Sequence, residues 1–490
     1  MKIATWMEQS GVAFGTSGAR GLVSAMTDAV CCAYTMGFLL HLQNLGEFAP
    51  GKPVALAGDL RPSTPRILRA CVAAVEALGG VPVFCGYVPT PALCHFAFAR
   101  AMPSLMVTGS HIPDDRNGIK FNRAKGEFLK TDETAMKMQD VTLPDGWFDA
   151  HGTLTHTIDL PAVTEIEDAY IDRYRTFFGA TALKGMRLGV YQHSAVGRDV
   201  LVRLLEALGA TVVPLGRSER FVSVDTEAVR PEDVVLARDW ATTHGFDAIL
   251  TTDGDSDRPL LADKNGTWLR GDVLGILAAQ TLGAGSVATP VSSNTALEKS
   301  GAVPNIYRTR IGSPYVVAAM SHAAQAGQGP VVGYEANGGF LLACAVQQEG
   351  RTLDALPTRD AVLPMLCALV TAKAQKQDLS SLVATLPPRF TVSDRLKDMP
   401  TTLSQKHLEA LRAAPQQGVA NLGLTTACGV LCDVDETDGV RMSFASGEIV
   451  HLRPSGNAPE LRVYVEADSI PRAETLLAQT LQAVGAWREH

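Results

Sequence analysis

Two stretches of the chain carry one pattern of apolar and polar positions. In ILRACVAAVEAL (Ile67–Leu78) and DVLVRLLEAL (Asp199–Leu208), apolar residues recur three and four positions apart, which predicts amphipathic helices. Each follows a short apolar run, Val54–Ala57 or Leu188–Tyr191, of a length that suits a buried strand. Each also leads into a Gly at the helix cap, a β-rich run and a closing Gly. VEALGGVPVFCG (Val75–Gly86) and LEALGATVVPLG (Leu205–Gly216) are therefore two copies of one βαβ unit, 130 residues apart. A weaker third copy starts near GSVATPVSS (Gly285–Ser293) and runs through YVVAAMSHAAQAGQGPVVGYE (Tyr315–Glu335).

Polar, Gly-containing or Pro-containing connectors separate these units. They are Val141–Thr157, ADKNGTWLRGD (Ala262–Asp272) and LPPRF (Leu386–Phe390). A helix-like segment, a run of short strands and a last helix from about Pro471 to Trp487 follow. The division predicts four domains: 1–155, 156–262, 263–386 and 387–490.

Composition narrows the function. The 490 residues are 46% hydrophobic and 19% charged, ordinary for a soluble globular protein. A formal net charge of -8 argues against nucleic acid or an anionic membrane as the main partner. No apolar run is long enough to span a bilayer, and MKIATWMEQS has no signal-peptide core, so a cytoplasmic protein is expected. The 9 cysteines form no CxxC pair and suit free thiols in a reducing compartment. His151 and His156 fall in a polar connector and read as solvated.

Three loops carry candidate chemistry. In LMVTGSHIPDDRNGIKF (Leu105–Phe121), a strand over Pro103–Thr108 enters a loop with Ser110 and His111. Asn117-Gly118 is read as a tight turn that brings Lys120 back near Ser110. A hydroxyl held this way can serve as a nucleophile or phosphate carrier, and a lysine can neutralise phosphate or move a proton. In AILTTDGDSDRPLL (Ala248–Leu261), a strand ends in Asp253, Asp255 and Asp257, followed by Arg258. Alternating carboxylates there can converge on one hard cation, which removes the cost of their mutual repulsion. An EF-hand fails, because Arg258 and Lys264 stand where Gly and Glu are needed. A phosphatase of the DxDx(T/V) type departs at Asp257 but stays open as an alternative. In HLRPSGNAPELRVYVEA (His451–Ala467), Ser455, Gly456 and Asn457 lie between Arg453 and Arg462, a cradle suited to a phosphate dianion. Two smaller features join them. FGTSGARG (Phe14–Gly21) offers Arg20, and VVGYEANGGF (Val331–Phe340) offers Glu335 and Asn337 for paired sugar hydroxyls.

In their order and spacing, FGTSGARG, TGSHIPDDRNGIKF, DGDSDR, GYEANGG and RPSGNAPELR resemble the loops of the α-D-phosphohexomutase family. GYVPTPAL (Gly86–Leu93) and LKGMRLGVYQHSAVG (Leu183–Gly197) extend the similarity over nearly the whole chain. The resemblance implies a heart-shaped α/β molecule. Three related α/β domains with mixed sheets and a smaller C-terminal, TATA-binding-protein-like α+β domain would surround a central cleft. It implies Ser110 as phosphoserine. It implies Mg²⁺ on Asp253, Asp255 and Asp257 with a Ser110 phosphate oxygen. Lys120, Arg20 and His111 would assist transfer. Arg258, Arg310, Glu335, Asn337, Arg453, Ser455, Gly456, Asn457 and Arg462 would bind substrate. The expected activity is interconversion of hexose 1- and 6-phosphates through a hexose 1,6-bisphosphate, which also serves as activator, in a monomer or homodimer. Mannose and glucose phosphates are the favoured substrates. A phosphoglucosamine mutase, a metal-dependent sugar-phosphate phosphatase and a non-catalytic phosphosugar-binding regulator are the alternatives.

Three positions depart from the family pattern. TASHNP reads TGSHIP, which changes Gly109 and Ile112. The sugar loop has Asn337 for a usual Ser and Gly339 where bacterial phosphomannomutases often carry His. In RTRIGSPYV (Arg308–Val316), Arg310 stands for a frequent Lys.

Overall fold

The structure is a computed structural model and describes residues 1–15, 17–455 and 459–489. Four main sheets follow one another along the chain. The first has seven strands. Ala13–Phe14, Ala19–Leu22, Arg116–Arg123, Ser104–Val107, Pro53–Gly58 and Val81–Phe84 lie in that order, with Gly126–Glu127 paired to Arg116–Arg123. The second orders Pro259–Ala262, Ala248–Thr252, Arg187–His193 and Thr211–Arg217. The third orders Asn305–Thr309, Ser286–Pro290, Val331–Tyr334, Phe340–Leu342 and Leu356–Asp360.

The repeated unit of the sequence is present in all three. A helix joins two neighbouring parallel strands in the first sheet (Thr64–Ala77) and the second (Arg198–Ala207); in the third, Ser313–Gln325 joins Asn305–Thr309 to Val331–Tyr334, the two parallel strands on either side of Ser286–Pro290. Antiparallel strands at the other side make each sheet mixed. The central strands Pro53–Gly58, Ala248–Thr252 and Val331–Tyr334 are buried almost throughout and read as largely apolar runs, as strands covered on both faces do.

The fourth sheet is wholly antiparallel: Phe390–Leu396, Leu461–Ala467, Ile449–Pro454, Val440–Phe444 and Leu431–Asp435. Helices Thr401–Ala413 and Ile470–Gly485 bury Leu408, Leu411, Leu476 and Val484 against Val450, Leu452 and Val463. This core is separate from the one shared by the first three domains, in which Leu93, Tyr170, Leu250, Leu274 and Leu366 belong to one cluster. The fourth domain meets the third through polar contacts. Thr295 N–H donates to Glu466 at 2.9 Å and Ile311 N–H to Asp438 at 3.0 Å. Among the described residues, no helix is long and apolar enough to cross a membrane.

The Asn117-Gly118 turn is a correction. Both residues lie inside the strand Arg116–Arg123, and the chain reverses earlier, between Gly109 and Asp115. Gly118 is needed for close approach rather than for turning: a Cβ there would lie 2.6 Å from the Ala19 carbonyl oxygen of the adjacent strand. Asn117 spends its amide on the Ser63 and Thr64 hydroxyls. Lys120 nevertheless reaches the site foreseen for it, from the strand itself.

Candidate active site

Open parallel sheets bind ligands beyond the carboxyl ends of their strands. All three α/β domains place their polar loops there. Ser110 follows Ser104–Val107, Asp253 follows Ala248–Thr252, and Glu335 follows Val331–Tyr334. These loops meet. Ser110 Oγ donates to Asp253 Oδ2 at 2.7 Å across 143 residues of sequence. Lys120 Nζ lies 2.5 Å from Asp255 Oδ2 and 2.6 Å from Asp257 Oδ2. Thr90, in the GYVPTPAL loop, adds a 2.5 Å hydroxyl contact to Asp255.

Ser110 is fully buried and sits at φ 58, in the left-handed region that a non-glycine residue rarely enters. Such strain persists only where the surroundings over-determine it. Here Arg61 does so. Its guanidinium donates to the carbonyls of Ser110 (2.8 Å), Ile112 (2.5 Å), Pro113 (2.7 Å) and Arg116 (3.1 Å), while Nε pairs with Asp59 at 3.0 Å. Asp59 also accepts from the Thr108 and Thr64 hydroxyls, and Thr108 Oγ1 accepts from Ser110 N–H. Neither Asp59 nor Arg61 was singled out in the sequence. The available signal was a carboxylate at the end of the apolar strand Pro53–Gly58, the same signal that marked Asp253.

The three aspartates are buried, and each offers an oxygen within 4.8 Å of the others. Asp255 Oδ1 and Asp257 Oδ1 are buried without a hydrogen-bond partner. Burial, then Asp255 and Asp257, push the Asp253 carboxyl up to about 8. Burial works the same way at Asp257, but Arg359, Lys120 and Arg258 outweigh it and hold that carboxyl below its usual range. Orphaned, mutually repelling oxygens of this kind fit a hard divalent cation.

Cations surround them. Arg258 Nε stands 3.7 Å from Asp257, and its Nη1 donates to His111 Nδ1 at 2.8 Å. That bond places the His111 proton on Nε2. Burial, then Arg258, lower His111 to about 3, so the ring is neutral. Arg20 is half-buried; burial, then Arg258 and Arg359, bring it down to about 10. Arg20, Lys120, Arg258 and Arg359 thus face Asp255, Asp257 and Glu335, with the Asp253 proton free to leave when a cation arrives. A phosphate dianion and a divalent cation would enter as a neutral pair.

Arg359 is a second residue the sequence reading passed over. It is 2% exposed, at the end of strand Leu356–Asp360. It contacts Asp257 at 3.0 Å and lies 3.6 Å from Glu335 Oε2, an oxygen with no hydrogen-bond partner. Its signal was a charged Arg-Asp pair ahead of the apolar run Val362–Leu369. Asn337 lies in the loop after Val331–Tyr334, where its Oδ1 accepts from Gly339 N–H.

The remaining predicted residues divide. Arg453 and Arg462 are directly opposed on adjacent strands, and Arg395 continues the row. Like charges so placed repel, which suits an anion site. Arg453 meets Asp438 at 2.8 Å, and Ser455 N–H bonds Glu460 O at 2.8 Å. Arg310 is exposed over the Tyr315 ring, 5.8 Å away, and contacts none of the aspartates. Gly456 and Asn457 lie outside the described residues.

Comparison with known proteins assigns this arrangement. The four domain models of the phosphoglucomutase/phosphomannomutase family match in order: α/β/α domains I, II and III at residues 11–141, 168–266 and 270–390, and the C-terminal domain at 395–483. The chain belongs to the phosphoglucomutase/phosphomannomutase family. It is 44% identical over 478 residues to a phosphomannomutase of Sinorhizobium fredii, covering 97% of this chain and 99% of that one. It is 43% identical over 483 residues to one of Salmonella muenchen, covering 98% of each. A family protein of Burkholderia thailandensis has the same fold, with TM-score 0.73 and 19% identity over 96% of this chain and 97% of that one. The protein is accordingly a mutase, an isomerase.

The structure explains two of its departures from the family pattern. A Cβ at Gly109 would lie 2.7 Å from Arg61 Cζ, so the loop that Arg61 holds demands glycine. A Cβ at Gly339 would lie 2.5 Å from Arg359 Cδ. The space that a larger residue at position 339 would fill is taken by a buried arginine from 20 residues downstream. Gly339→Ala is expected to destabilise the protein by about 1–3 kcal/mol through overpacking. Denaturant titration checks this, and unchanged stability would show that Arg359 is free to move.

Proposed function

We propose that the mutase interconverts hexose 1-phosphate and hexose 6-phosphate, with mannose and then glucose phosphates as substrates, through a phosphorylated Ser110. The observation that carries the reading is the Ser110 hydroxyl, set 2.7 Å from one member of a buried aspartate trio and held in left-handed backbone by Arg61. A serine needed only for packing has no reason to stand at such a strained position beside three carboxylates.

In the forward direction the phosphate of hexose 1-phosphate binds at Arg453 and Arg462, and Glu335 accepts sugar hydroxyls. The O6 hydroxyl attacks the phosphorus of phospho-Ser110. The bond to O6 forms, the bond to Ser110 Oγ breaks, and the O6 proton is relayed through Lys120 and its paired carboxylates to Ser110 Oγ, which leaves as a hydroxyl. The hexose 1,6-bisphosphate then turns over. Ser110 Oγ attacks the phosphorus on O1, the P–O1 bond breaks, the serine proton returns by the same relay to O1, and hexose 6-phosphate departs with a free O1 hydroxyl. Transfer of this kind depends on in-line positioning and charge stabilisation more than on covalent chemistry from the protein. Arg20, Arg258 and Arg359 hold the phosphoryl oxygens in a dry site, and neutral His111 offers its Nε2 proton to them.

Asp253, Asp255 and Asp257 would hold Mg²⁺, which when bound withdraws charge from the phosphoryl group. Chelation is expected to lower turnover by roughly 10²–10³-fold, restored by added Mg²⁺. Calorimetric titration of the chelated protein with Mg²⁺ should show one site, lost in Asp255→Asn. A chelated enzyme of full activity would remove the aspartates from the reaction.

The test of the whole reading is a panel of mannose, glucose and glucosamine 1-phosphates, with hexose 1,6-bisphosphate and Mg²⁺ supplied. Formation of mannose 6-phosphate with the highest kcat/KM supports it. Preferred turnover of glucosamine 1-phosphate would reassign the sugar. Stoichiometric release of inorganic phosphate would make the protein a phosphatase.

A further inference from the structure

The segment Phe221–Glu227 of the second domain contains neither helix nor strand, yet in seven residues it touches both the first and the third domain. The Phe221 ring lies under the Arg61 guanidinium, 4.0 Å from its carbon, on the residue that fixes the Ser110 loop. The Ser223 hydroxyl donates to the His111 carbonyl of that loop. The Thr226 hydroxyl, on a residue 3% exposed, donates at 2.7 Å to the carbonyl of Asn337 in the sugar loop. The Glu227 carboxylate lies within electrostatic reach of Arg270 and of Arg462, the latter in the opposed arginine pair of the fourth domain.

The segment is itself fixed by its own domain. Val222 N–H donates to Ser194 Oγ at 2.7 Å, and Asp225 Oδ1 accepts from the N–H groups of Glu227 (2.9 Å) and Ala228 (3.3 Å). Val224 is wholly buried. An extended strap anchored at its base thus bonds the nucleophile loop with one hydroxyl and the sugar loop with another. Both acceptors are main-chain carbonyls, so the contacts set where those loops sit without using their reactive side chains.

We propose that Phe221–Glu227 is a positioning strap that keeps the nucleophile and sugar loops in register while the bisphosphate turns over, and so retains that intermediate. This rests on the reaction described above. Between its two transfer steps, the hexose 1,6-bisphosphate has no covalent link to the protein. Whether it turns or escapes depends on how long the cleft stays closed around it. Ser223 and Thr226 bridge domains, one to the loop that would donate phosphate and one to the loop that would read the sugar.

The experiment uses the full-length protein, phosphorylated with a stoichiometric amount of glucose 1,6-bisphosphate and then given mannose 1-phosphate without further activator. Bisphosphate released to solution is counted against mannose 6-phosphate formed. Ser223→Ala and Thr226→Val are expected to raise release per turnover about fivefold to tenfold, the scale of one lost hydrogen bond, and to stop sooner for want of activator. Thr226→Ser, which keeps the hydroxyl, should match the parent. A purely structural contact would lower stability in Thr226→Val but leave the release ratio unchanged. Should Thr226→Val fail to fold, Ser223→Ala decides alone. Parent turnover with an unchanged ratio in the folded variants overturns the strap and leaves the mutase reading intact. A parent that forms no mannose 6-phosphate in this assay or in the substrate panel overturns both.

Discussion

Ser110→Ala is expected to lose mutase turnover by at least about 10³-fold while the protein stays folded, because the substitution removes the phosphoryl carrier and little else. The side chain is fully buried and makes one described hydrogen bond, to Asp253. Its removal leaves that carboxylate oxygen short of a donor, a cost of about 1–3 kcal/mol, partly relieved because Asp253 already holds its proton readily. Backbone strain at φ 58 is shared by Ala and Ser, so the loop conformation should survive. Ser110→Gly separates the two effects: it is equally inactive, yet more stable than Ser110→Ala by about 0.5–1 kcal/mol, since glycine enters the left-handed region freely. The measurements are a coupled mannose 1-phosphate assay, labelling with phosphate from a hexose 1,6-bisphosphate, and thermal unfolding. An alanine variant that still isomerises at a tenth of the parent rate, or still takes up label elsewhere, would sink the assignment of Ser110.

What the sequence made legible was local. Asp253, Asp255 and Asp257 fall within five residues of one strand end, and the need of such a trio for a cation follows from their spacing alone. The repeated βαβ unit was legible because apolar periodicity is a property of each helix and strand by itself. Non-local geometry was not. Asn117-Gly118 has turn composition, yet pairing with Ala19–Leu22 recruits it into a strand, and the glycine answers a carbonyl almost 100 residues away in sequence. Gly109 and Gly339 looked like losses in a family pattern. Each turned out to be the space that a buried arginine needs, and those arginines, Arg61 and Arg359, stand in stretches with no motif. The carbonyls that Arg61 holds lie 49 to 55 residues away, and Asp257 lies 102 from Arg359, distances over which a single sequence carries no pairing signal.

Loop closure explains why Arg61 is where it is. The nucleophile loop leaves its strand at Val107 and returns at Arg116, with polar backbone in between and no ladder to satisfy it. Buried carbonyls without partners are costly. One guanidinium satisfies four of them at once, and Asp59 balances its charge. A lysine, with one compact ammonium, could not span four carbonyls.

Arg61→Met should therefore be the most damaging substitution outside the reacting groups. Both members of the Arg61–Asp59 pair are fully buried, and removing one partner of such a pair costs about 3–5 kcal/mol, because the other charge is left uncompensated. The four loop carbonyls lose their donor in the same step, so the left-handed Ser110 has nothing to hold it. Two consequences can be told apart. Stability should fall by that amount in denaturant titration. Turnover should fall by a further 10²-fold or so in protein that is still folded, since the hydroxyl no longer faces Asp253. Adding Asp59→Asn to Arg61→Met removes the stranded charge and should restore part of the stability: the remaining side-chain oxygen still accepts from the Thr64 hydroxyl, and the new amide NH2 can donate to the Thr108 hydroxyl. It should restore none of the turnover, because the carbonyls of Ser110, Ile112, Pro113 and Arg116 remain without their donor. Recovery of both in the double variant would mean that the ion pair, and not the four carbonyl bonds, sets the nucleophile loop.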